Sequence, residues 1–215
     1  MNRPARLVTA ALTVSAALLL TACGSGGSED GAADRIKGAD RENGEASPSA
    51  SAPPSPRASG QPEIELPDSF RMEFEGWTHS DPELQAILDG GREQLRADHA
   101  AVIEGDPEAD YVTYYNREAS LQASRKWIKQ YVDADVTLVG RLKVSDPQVR
   151  INDSGAGVLF YCVDESAAFA ENRETGERTG TPAGDSPRLR YRTLLEKSPQ
   201  GVWRTTRAQT ERGAC

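Results

Sequence analysis

Apolar residues recur every three to four positions in two stretches of the chain, and this spacing predicts two helices. The first follows the capping sequence Ser80-Asp81-Pro82-Glu83, with Ser80 as the expected N-cap, and ends near Gly105. The second is expected over about residues 117–132. Gly91 lies on the apolar stripe of the first helix, which predicts a close approach to a sheet. That stripe comprises Leu84, Ile87, Leu88, Gly91, Leu95, His99 and Val102.

From Val136 onward the apolar period changes to two, which is typical of half-buried β-strands. A strand is expected over 136–144, and a short edge strand over 70–74 precedes the helices. Two hairpins are predicted, one pairing 148–152 with 158–164 and one pairing 189–197 with 202–209, with a polar excursion over 165–187 between them. This order predicts an α+β fold, with two N-terminal helices packed on an antiparallel sheet of four to five strands.

The N-terminus carries a segment typical of exported proteins. Arg3 and Arg6 precede 14 apolar or small residues, 7–20, which are followed by Thr21-Ala22. This is the layout of a secretory signal peptide, which we assign to residues 1–22. As a helix the apolar run would span roughly 21 Å, less than the roughly 30 Å of a hydrocarbon core. A cleaved signal peptide is therefore expected rather than a transmembrane anchor.

The sequence Leu20-Thr21-Ala22-Cys23 resembles the lipobox of bacterial lipoproteins. The resemblance implies a diacylglycerol on the Cys23 thiol and cleavage between Ala22 and Cys23. Two acyl chains anchor a protein stably, which predicts a position at the outer face of the cytoplasmic membrane. The alternative is an ordinary signal peptide followed by a chance cysteine. The tether Gly24-Ser25-Gly26-Gly27-Ser28 favours the lipoprotein.

Composition divides the rest of the chain into a linker and one domain. Residues 23–68 are rich in Gly, Ser, Ala, Pro and acidic residues, which predicts a disordered linker behind the lipidated cysteine. Residues 69–215 have the size of one domain. The net charge is −8, with 23 acids and 11 bases in residues 24–135 against 10 acids and 12 bases in residues 136–215. Nucleic acid is therefore not an expected partner.

The three cysteines have two different predicted roles. With Cys23 lipidated, Cys162 and Cys215 are left in an oxidising environment, where a disulfide is the default. Closing a loop of about 54 residues would stabilise the fold by roughly 4 kcal/mol in the chain-entropy model. Two cysteines without nearby histidines make no four-ligand zinc site. We expect no metal and no cofactor.

Three short motifs carry a resemblance to a known superfamily. They are Cys162-Val163-Asp164-Glu165-Ser166, Gly201-Val202-Trp203 and Arg212-Gly213-Ala214-Cys215. With the predicted helices and sheet, they resemble small actinobacterial-type lipoproteins with a nuclear-transport-factor-two-like (cystatin-like, SnoaL-like) domain. The resemblance covers about residues 69–215 and implies a curved sheet that wraps a long helix to form a cone. It leaves the activity open, because the superfamily contains ketosteroid isomerase, polyketide cyclases and binding domains.

The candidate catalytic residues are few. Of the two histidines, His79 precedes the first helix, whereas His99 lies on the apolar stripe and can face the cone. An isomerase-like or cyclase-like enzyme using His99 and Tyr131 is the alternative function. No carboxylate lies at a predicted inward-facing position, which counts against catalysis. We therefore predict a non-enzymatic protein that binds an envelope protein, a polymer or a small ligand, and core packing is the expected role of the six tyrosines.

Basic residues on the predicted strands form one further candidate site. If the apolar strand positions face the helix, the intervening basic side chains share the opposite face of the sheet. Such a basic surface on an acidic protein would suit an anionic partner of the envelope. The alternative is a solvated face neutralised by nearby acids such as Glu196. The candidate anion-binding face comprises Arg141, Lys143, Arg150, Arg190 and Arg192.

Overall fold

A computed structural model describes residues 60–215 of the chain. The predicted signal peptide, Cys23 and the linker as far as residue 59 lie outside the described residues. The elements follow in the order β1 Phe70–Phe74, α1 Pro82–Glu104, α2 Asp110–Tyr115, α3 Glu118–Asp133, β2 Val136–Ile151, β3 Gly157–Asn172, β4 Arg178–Thr179, β5 Arg188–Lys197 and β6 Trp203–Arg212. Within residues 60–215, no helix combines the length and apolar character that crossing a bilayer requires.

Helix α1 begins and ends at residues that favour helix termini. Its N-cap is Asp81, not the predicted Ser80, and Asp81 Oδ1 accepts hydrogen bonds from the backbone N–H groups of Glu83 at 2.8 Å and Leu84 at 3.2 Å. A carboxylate also interacts favourably with the positive end of the helix dipole. Gly105 ends the helix at φ 79°, a left-handed conformation that glycine adopts without a steric penalty.

The second predicted helix is present as α3, and a short helix, α2, precedes it. The six residues of α2 had no predicted helix, because so short a segment shows less than two turns of apolar periodicity. Tyr111, Val112 and Tyr115 bury this turn against the core. Packing rather than local propensity therefore accounts for α2.

The strands form one curved, unclosed sheet in the order β1-β2-β3-β5-β6, with β4 paired to β3. The prediction of an α+β fold with a curved sheet is confirmed. The prediction of a wholly antiparallel sheet is wrong for β1, which pairs with β2 in parallel, Phe70 opposite Gly140. Three helices separate β1 from β2, and such a long connection allows the chain to return in the same direction. Strand β3 also continues to Asn172, into the predicted polar excursion.

Helix α1 lies close against the sheet at two glycines. A Cβ on Gly90 would lie 2.6 Å from the backbone oxygen of Trp203, and one on Gly91 would lie 2.5 Å from Cδ2 of Leu159. Both distances are shorter than van der Waals contact. The close approach predicted at Gly91 is therefore present, and it extends to Gly90.

Two contacts join the ends of the domain to its core. Ile64, in the stretch assigned to the linker, is 3% exposed, and its backbone oxygen accepts a hydrogen bond from Arg96 Nη2 at 2.9 Å. The packed part of the chain therefore begins before the predicted boundary at residue 69. At the other end, Cys162 and Cys215 form the predicted disulfide with their Cα atoms 6.0 Å apart, which fixes the C-terminus to β3.

Candidate functional site

A cavity of about 230 Å³ opens between helices α1 and α3 and the concave face of the sheet. We call it the cone cavity. One part of its wall is aromatic and aliphatic, and another part carries an ion pair and the polar segment after β4. The wall residues include Phe70, His99, Trp127, Tyr131, Leu138, Leu142, Glu165, Ala168, Phe169, Thr181 and Arg212.

His99 is held in one protonation state and one orientation. Its Nδ1 lies 2.8 Å from the backbone oxygen of Leu95, one helical turn earlier. A carbonyl oxygen only accepts hydrogen bonds, so Nδ1 carries the proton and Nε2 has a free lone pair. The ring stacks on Phe70 at a centroid distance of 5.7 Å and lies 5.2 Å from Trp127. Burial lowers the pKa of His99 to about 4, so the imidazole is neutral at pH 7.

Tyr131 continues the aromatic wall from α3. Its ring lies 5.0 Å from that of Trp127 in an edge-to-face arrangement. Burial, followed by the nearby charge of Glu165, raises the pKa of the Tyr131 hydroxyl. The two residues named as the alternative catalytic pair, His99 and Tyr131, thus line the same cavity.

The cone cavity also holds a carboxylate and a guanidinium that sequence analysis did not place there. Glu165 Oε2 accepts a hydrogen bond from Arg212 Nη2 at 3.3 Å. Burial raises the pKa of Glu165, and the nearby Arg212 charge opposes that shift. Glu165 was assigned to the polar excursion, because its neighbours lack the apolar alternation of a strand. The signal available was the short resemblance motif that contains it.

A buried polar cluster surrounds Asp98, the residue that precedes His99 on α1. Its carboxylate accepts hydrogen bonds from Gln94 Nε2 and Ser124 Oγ, both at 2.6 Å, and from Asn116 Nδ2 at 2.9 Å. Burial raises the pKa of Asp98 to about 7 despite these donors. The cluster ties α1 to α3 and to the residue that follows α2. Its hydrogen bonds are satisfied internally, so it supports the cavity wall.

The tyrosines divide between cavity and core. Tyr161 and Tyr191 stack at a centroid distance of 4.9 Å on the inner face of the sheet. Tyr114 and Tyr115 pack edge to face, and the Tyr111 hydroxyl donates a hydrogen bond to Glu104 at 2.6 Å. Of the six, only Tyr131 lines the cone cavity.

The candidate anion-binding face lies on the outer side of the sheet, where its β2 members have acidic partners on β1 and directly after it. Arg141 Nη1 lies 3.6 Å from Glu73, and Lys143 Nζ lies 3.0 Å from Glu75. The side chains of all four residues are about half exposed, so the pairs are solvated and weak.

The remaining members of that face differ from one another. Arg190 pairs with Glu211 at 3.0 Å. The Arg192 guanidinium lies 5.6 Å from the ring centroid of Phe160, a cation–π contact. Arg150 is exposed, and no acidic side chain of residues 60–215 forms an ion pair with it. Three of the five cations thus have acidic partners, and anion binding by this face stays a prediction.

Among residues 60–215, no group of three histidine, cysteine or carboxylate side chains is arranged to hold a metal ion. His79, the other histidine, is exposed next to the N-terminus of α1, where its Nδ1 accepts a hydrogen bond from the Asp81 backbone N–H at 3.0 Å. It plays a part in the helix start and lies outside the cavity wall.

No family model matches the sequence, and no curated protein matches it. Several solved structures are similar in fold. The intermembrane space region of the chloroplast protein ARC6 is 10% identical over 63% of this chain and 100% of its own, with a TM-score of 0.46. A nuclear transport factor 2-like superfamily protein from Salmonella enterica is 14% identical over 62% and 92%, with a TM-score of 0.44. A ketosteroid isomerase-like protein from Erwinia carotovora is 15% identical over 63% and 99%, with a TM-score of 0.43.

Proposed function

We propose that the protein is an extracytoplasmic lipoprotein, held at the outer face of the cytoplasmic membrane by a lipid on Cys23, whose domain binds a small ligand in the cone cavity without converting it. The observation that carries the binding role is the cavity itself, with an apolar wall, a neutral histidine and the Glu165–Arg212 pair. Concave, mostly apolar sites with a few oriented polar groups are typical of ligand binding.

The export part of the proposal is supported by chemistry at both ends of the chain. The sequence around Cys23 has the lipobox pattern, and the domain contains the Cys162–Cys215 disulfide. Disulfides persist in oxidising compartments and are rare in the cytosol.

An isomerase-like or cyclase-like enzyme is the second candidate, because His99, Tyr131 and Glu165 share one cavity. Two of these groups have pKa values unsuited to proton transfer near pH 7. With its pKa lowered to about 4, His99 is a weak base, and the raised pKa of Tyr131 makes its hydroxyl a weak acid. Glu165, whose pKa is raised, is the group that favours catalysis. Binding without turnover has the stronger support.

The anchor is tested by isolating the protein from its native membrane and measuring the mass of its N-terminal peptide. We expect a peptide that begins at Cys23 and carries acyl chains. The Cys23→Ser variant should lose the acyl mass and leave the membrane fraction. Its matched control, Cys162→Ser, removes the disulfide but keeps the anchor. A mature protein that begins at a residue other than Cys23, with a free N-terminal amine, would contradict the anchor.

The binding role is tested by native mass spectrometry of the full chain purified from its host. We expect a bound small molecule that Ala168→Phe removes, because Ala168 lines the cavity. The control is Ala167→Phe, because Ala167 precedes Ala168 on β3 and is not one of the residues that line the cavity. Chemical change of the bound molecule during incubation would favour the enzyme. Loss of the ligand in both variants, or in neither, would contradict the cavity as its site.

A further inference from the structure

The size of the cone cavity matches a ligand of about one ring. Its volume is about 230 Å³. An engineered protein cavity of about 150 Å³ accommodates benzene, whereas drug-sized ligands occupy clefts of roughly 300–1,000 Å³. One six-membered ring with two small substituents therefore matches this volume.

The wall favours an aromatic ring. Phe70, His99, Trp127 and Tyr131 form a continuous series of ring contacts, with successive centroids 5.7, 5.2 and 5.0 Å apart. Phe169 adds a further ring to the wall. Aromatic side chains offer both faces and edges to a planar ligand, and stacked or edge-to-face pairs stabilise beyond the area that they bury.

The two charged groups of the cavity are not equally fixed. Arg212 is anchored independently of Glu165, because its Nη1 donates a hydrogen bond to the backbone oxygen of Ser186 at 2.6 Å. Among residues 60–215, the Glu165 carboxylate has one hydrogen-bond partner, Arg212 at 3.3 Å, and burial favours its neutral form by raising its pKa. A ligand carboxylate can therefore replace Glu165 at the guanidinium, whereas a cation would have to compete with a guanidinium that stays in place.

His99 supplies a hydrogen-bond acceptor in the aromatic part of the wall. Its Nδ1–H is engaged by the Leu95 carbonyl of its own helix, so Nε2, on the far side of the ring, accepts only. A neutral acceptor beside an apolar surface matches a hydroxyl donor on the ligand. A ligand without such a donor leaves that lone pair unpaired.

We propose that the cone cavity binds a hydroxylated aromatic acid, a single ring whose carboxylate pairs with Arg212 and whose hydroxyl donates to His99 Nε2. This rests on the proposed function, because it names the class of ligand that the same cavity takes. In this arrangement Glu165 is the carboxylate that the ligand replaces at Arg212.

The test is isothermal titration calorimetry on the full chain carrying Cys23→Ser, with 3- and 4-hydroxybenzoate as probes. We expect sub-millimolar binding of at least one isomer. Phenol, which lacks the carboxylate, should bind at least about tenfold more weakly, and benzoate, which lacks the hydroxyl, about five- to tenfold more weakly. Tyramine, which replaces the carboxylate by a cationic arm, should not compete.

Two variants distinguish an acidic ligand from a cationic one. Arg212→Gln should weaken hydroxybenzoate binding at least about tenfold. Arg190→Gln, which also removes an arginine paired with a glutamate, should leave the affinity unchanged. Glu165→Gln should tighten binding several-fold, because it removes the competing carboxylate. If Arg212→Gln unfolds, as circular dichroism would reveal, the Glu165→Gln result still decides the question.

The outcomes distinguish the ligand class from the proposed function. Preferential binding of tyramine, or weaker hydroxybenzoate binding by Glu165→Gln, would overturn the acid and indicate a cationic ligand. If no probe binds while native mass spectrometry finds a molecule that Ala168→Phe removes, the class is wrong and the binding role stands. If no probe binds and no such molecule is found, both proposals fail.

Discussion

Asp98 and His99 are adjacent residues of α1, yet burial moves their pKa values in opposite directions. The pKa of Asp98 rises to about 7 within the polar cluster, and the pKa of His99 falls to about 4 beside Phe70 and Trp127. In both cases burial disfavours the charged form, which is the anion of Asp98 and the cation of His99. At neutral pH the helix therefore presents a neutral imidazole to the cavity and a titrating carboxyl to the cluster behind it.

Asp98→Asn should remove a destabilising effect that increases with pH. The folded-state pKa of Asp98 lies above the ordinary value of 3.8, so the folded protein holds the extra proton between 3.8 and about 7. The wild-type free energy of unfolding therefore falls as pH rises through that window. The free energy of unfolding of Asp98→Asn, relative to that of the wild type, should increase by on the order of a few kcal/mol between pH about 4 and pH about 8. Urea unfolding at both pH values measures this gain, and a pH-independent difference would contradict the assignment.

His99→Phe should remove a destabilising effect that increases as the pH falls. The folded-state pKa of His99 lies below its ordinary value of 6.5, so the unfolded chain binds the extra proton between 6.5 and about 4. The wild type therefore loses stability as pH falls through that window, and His99→Phe, which keeps a ring beside Phe70, should not. The free energy of unfolding of the variant, relative to that of the wild type, should increase by about 2–3 kcal/mol on acidification from pH about 7 to pH about 4. Thermal unfolding at fixed ionic strength measures it, with His99→Leu as a second variant that also cannot titrate.

Periodicity predicted the parts of the fold in which local pattern and packing agree. The stripe from Leu84 to Val102 identified α1, and alternation after Val136 identified the start of β2. The six residues of α2 are held by tertiary burial, which a local pattern does not record. The parallel pairing of Phe70 with Gly140 depends on the path of three helices between them.

The cavity was predicted only in part, for the same physical reason. His99 was recognised because it lies on an apolar stripe, where a polar side chain stands out. Glu165 and Arg212 are 47 positions apart and meet only because β3 and β6 flank β5 in the sheet. Neither strand end alternates cleanly in polarity, so their inward direction follows from register, which a single sequence does not give.

Alanine at Gly90 and at Gly91 should have unequal effects. At Gly90 the added Cβ would meet the backbone oxygen of Trp203 at 2.6 Å, and β6 cannot move that carbonyl without disturbing its pairing with β5. At Gly91 it would meet a terminal methyl of Leu159, which can rotate. Alanine also gains about 1 kcal/mol over glycine within a helix. We expect Gly90→Ala to destabilise by roughly 1–3 kcal/mol and Gly91→Ala to be nearly neutral, as measured by urea unfolding. Equal losses would contradict this account of the α1–sheet contact.

Cys215→Ser should weaken both the fold and the cavity. The disulfide to Cys162 closes a loop with a sequence separation of 53, and its loss should lower the free energy of unfolding by about 4 kcal/mol on the chain-entropy view. Arg212 lies three residues before Cys215, so release of the C-terminus should also loosen its contact with Glu165. Hydroxybenzoate binding should then weaken although no wall residue has changed.

Cys162→Ser is the matched variant, because it breaks the same bond from the other side. The two single variants and the double variant should lose equal stability, since each removes one shared crosslink. Reduction of the wild type with dithiothreitol should reproduce the loss, and dithiothreitol should leave the double variant unchanged. If Cys215→Ser weakens hydroxybenzoate binding and Cys162→Ser does not, the effect would come from the C-terminal side chain and not from the crosslink that positions Arg212.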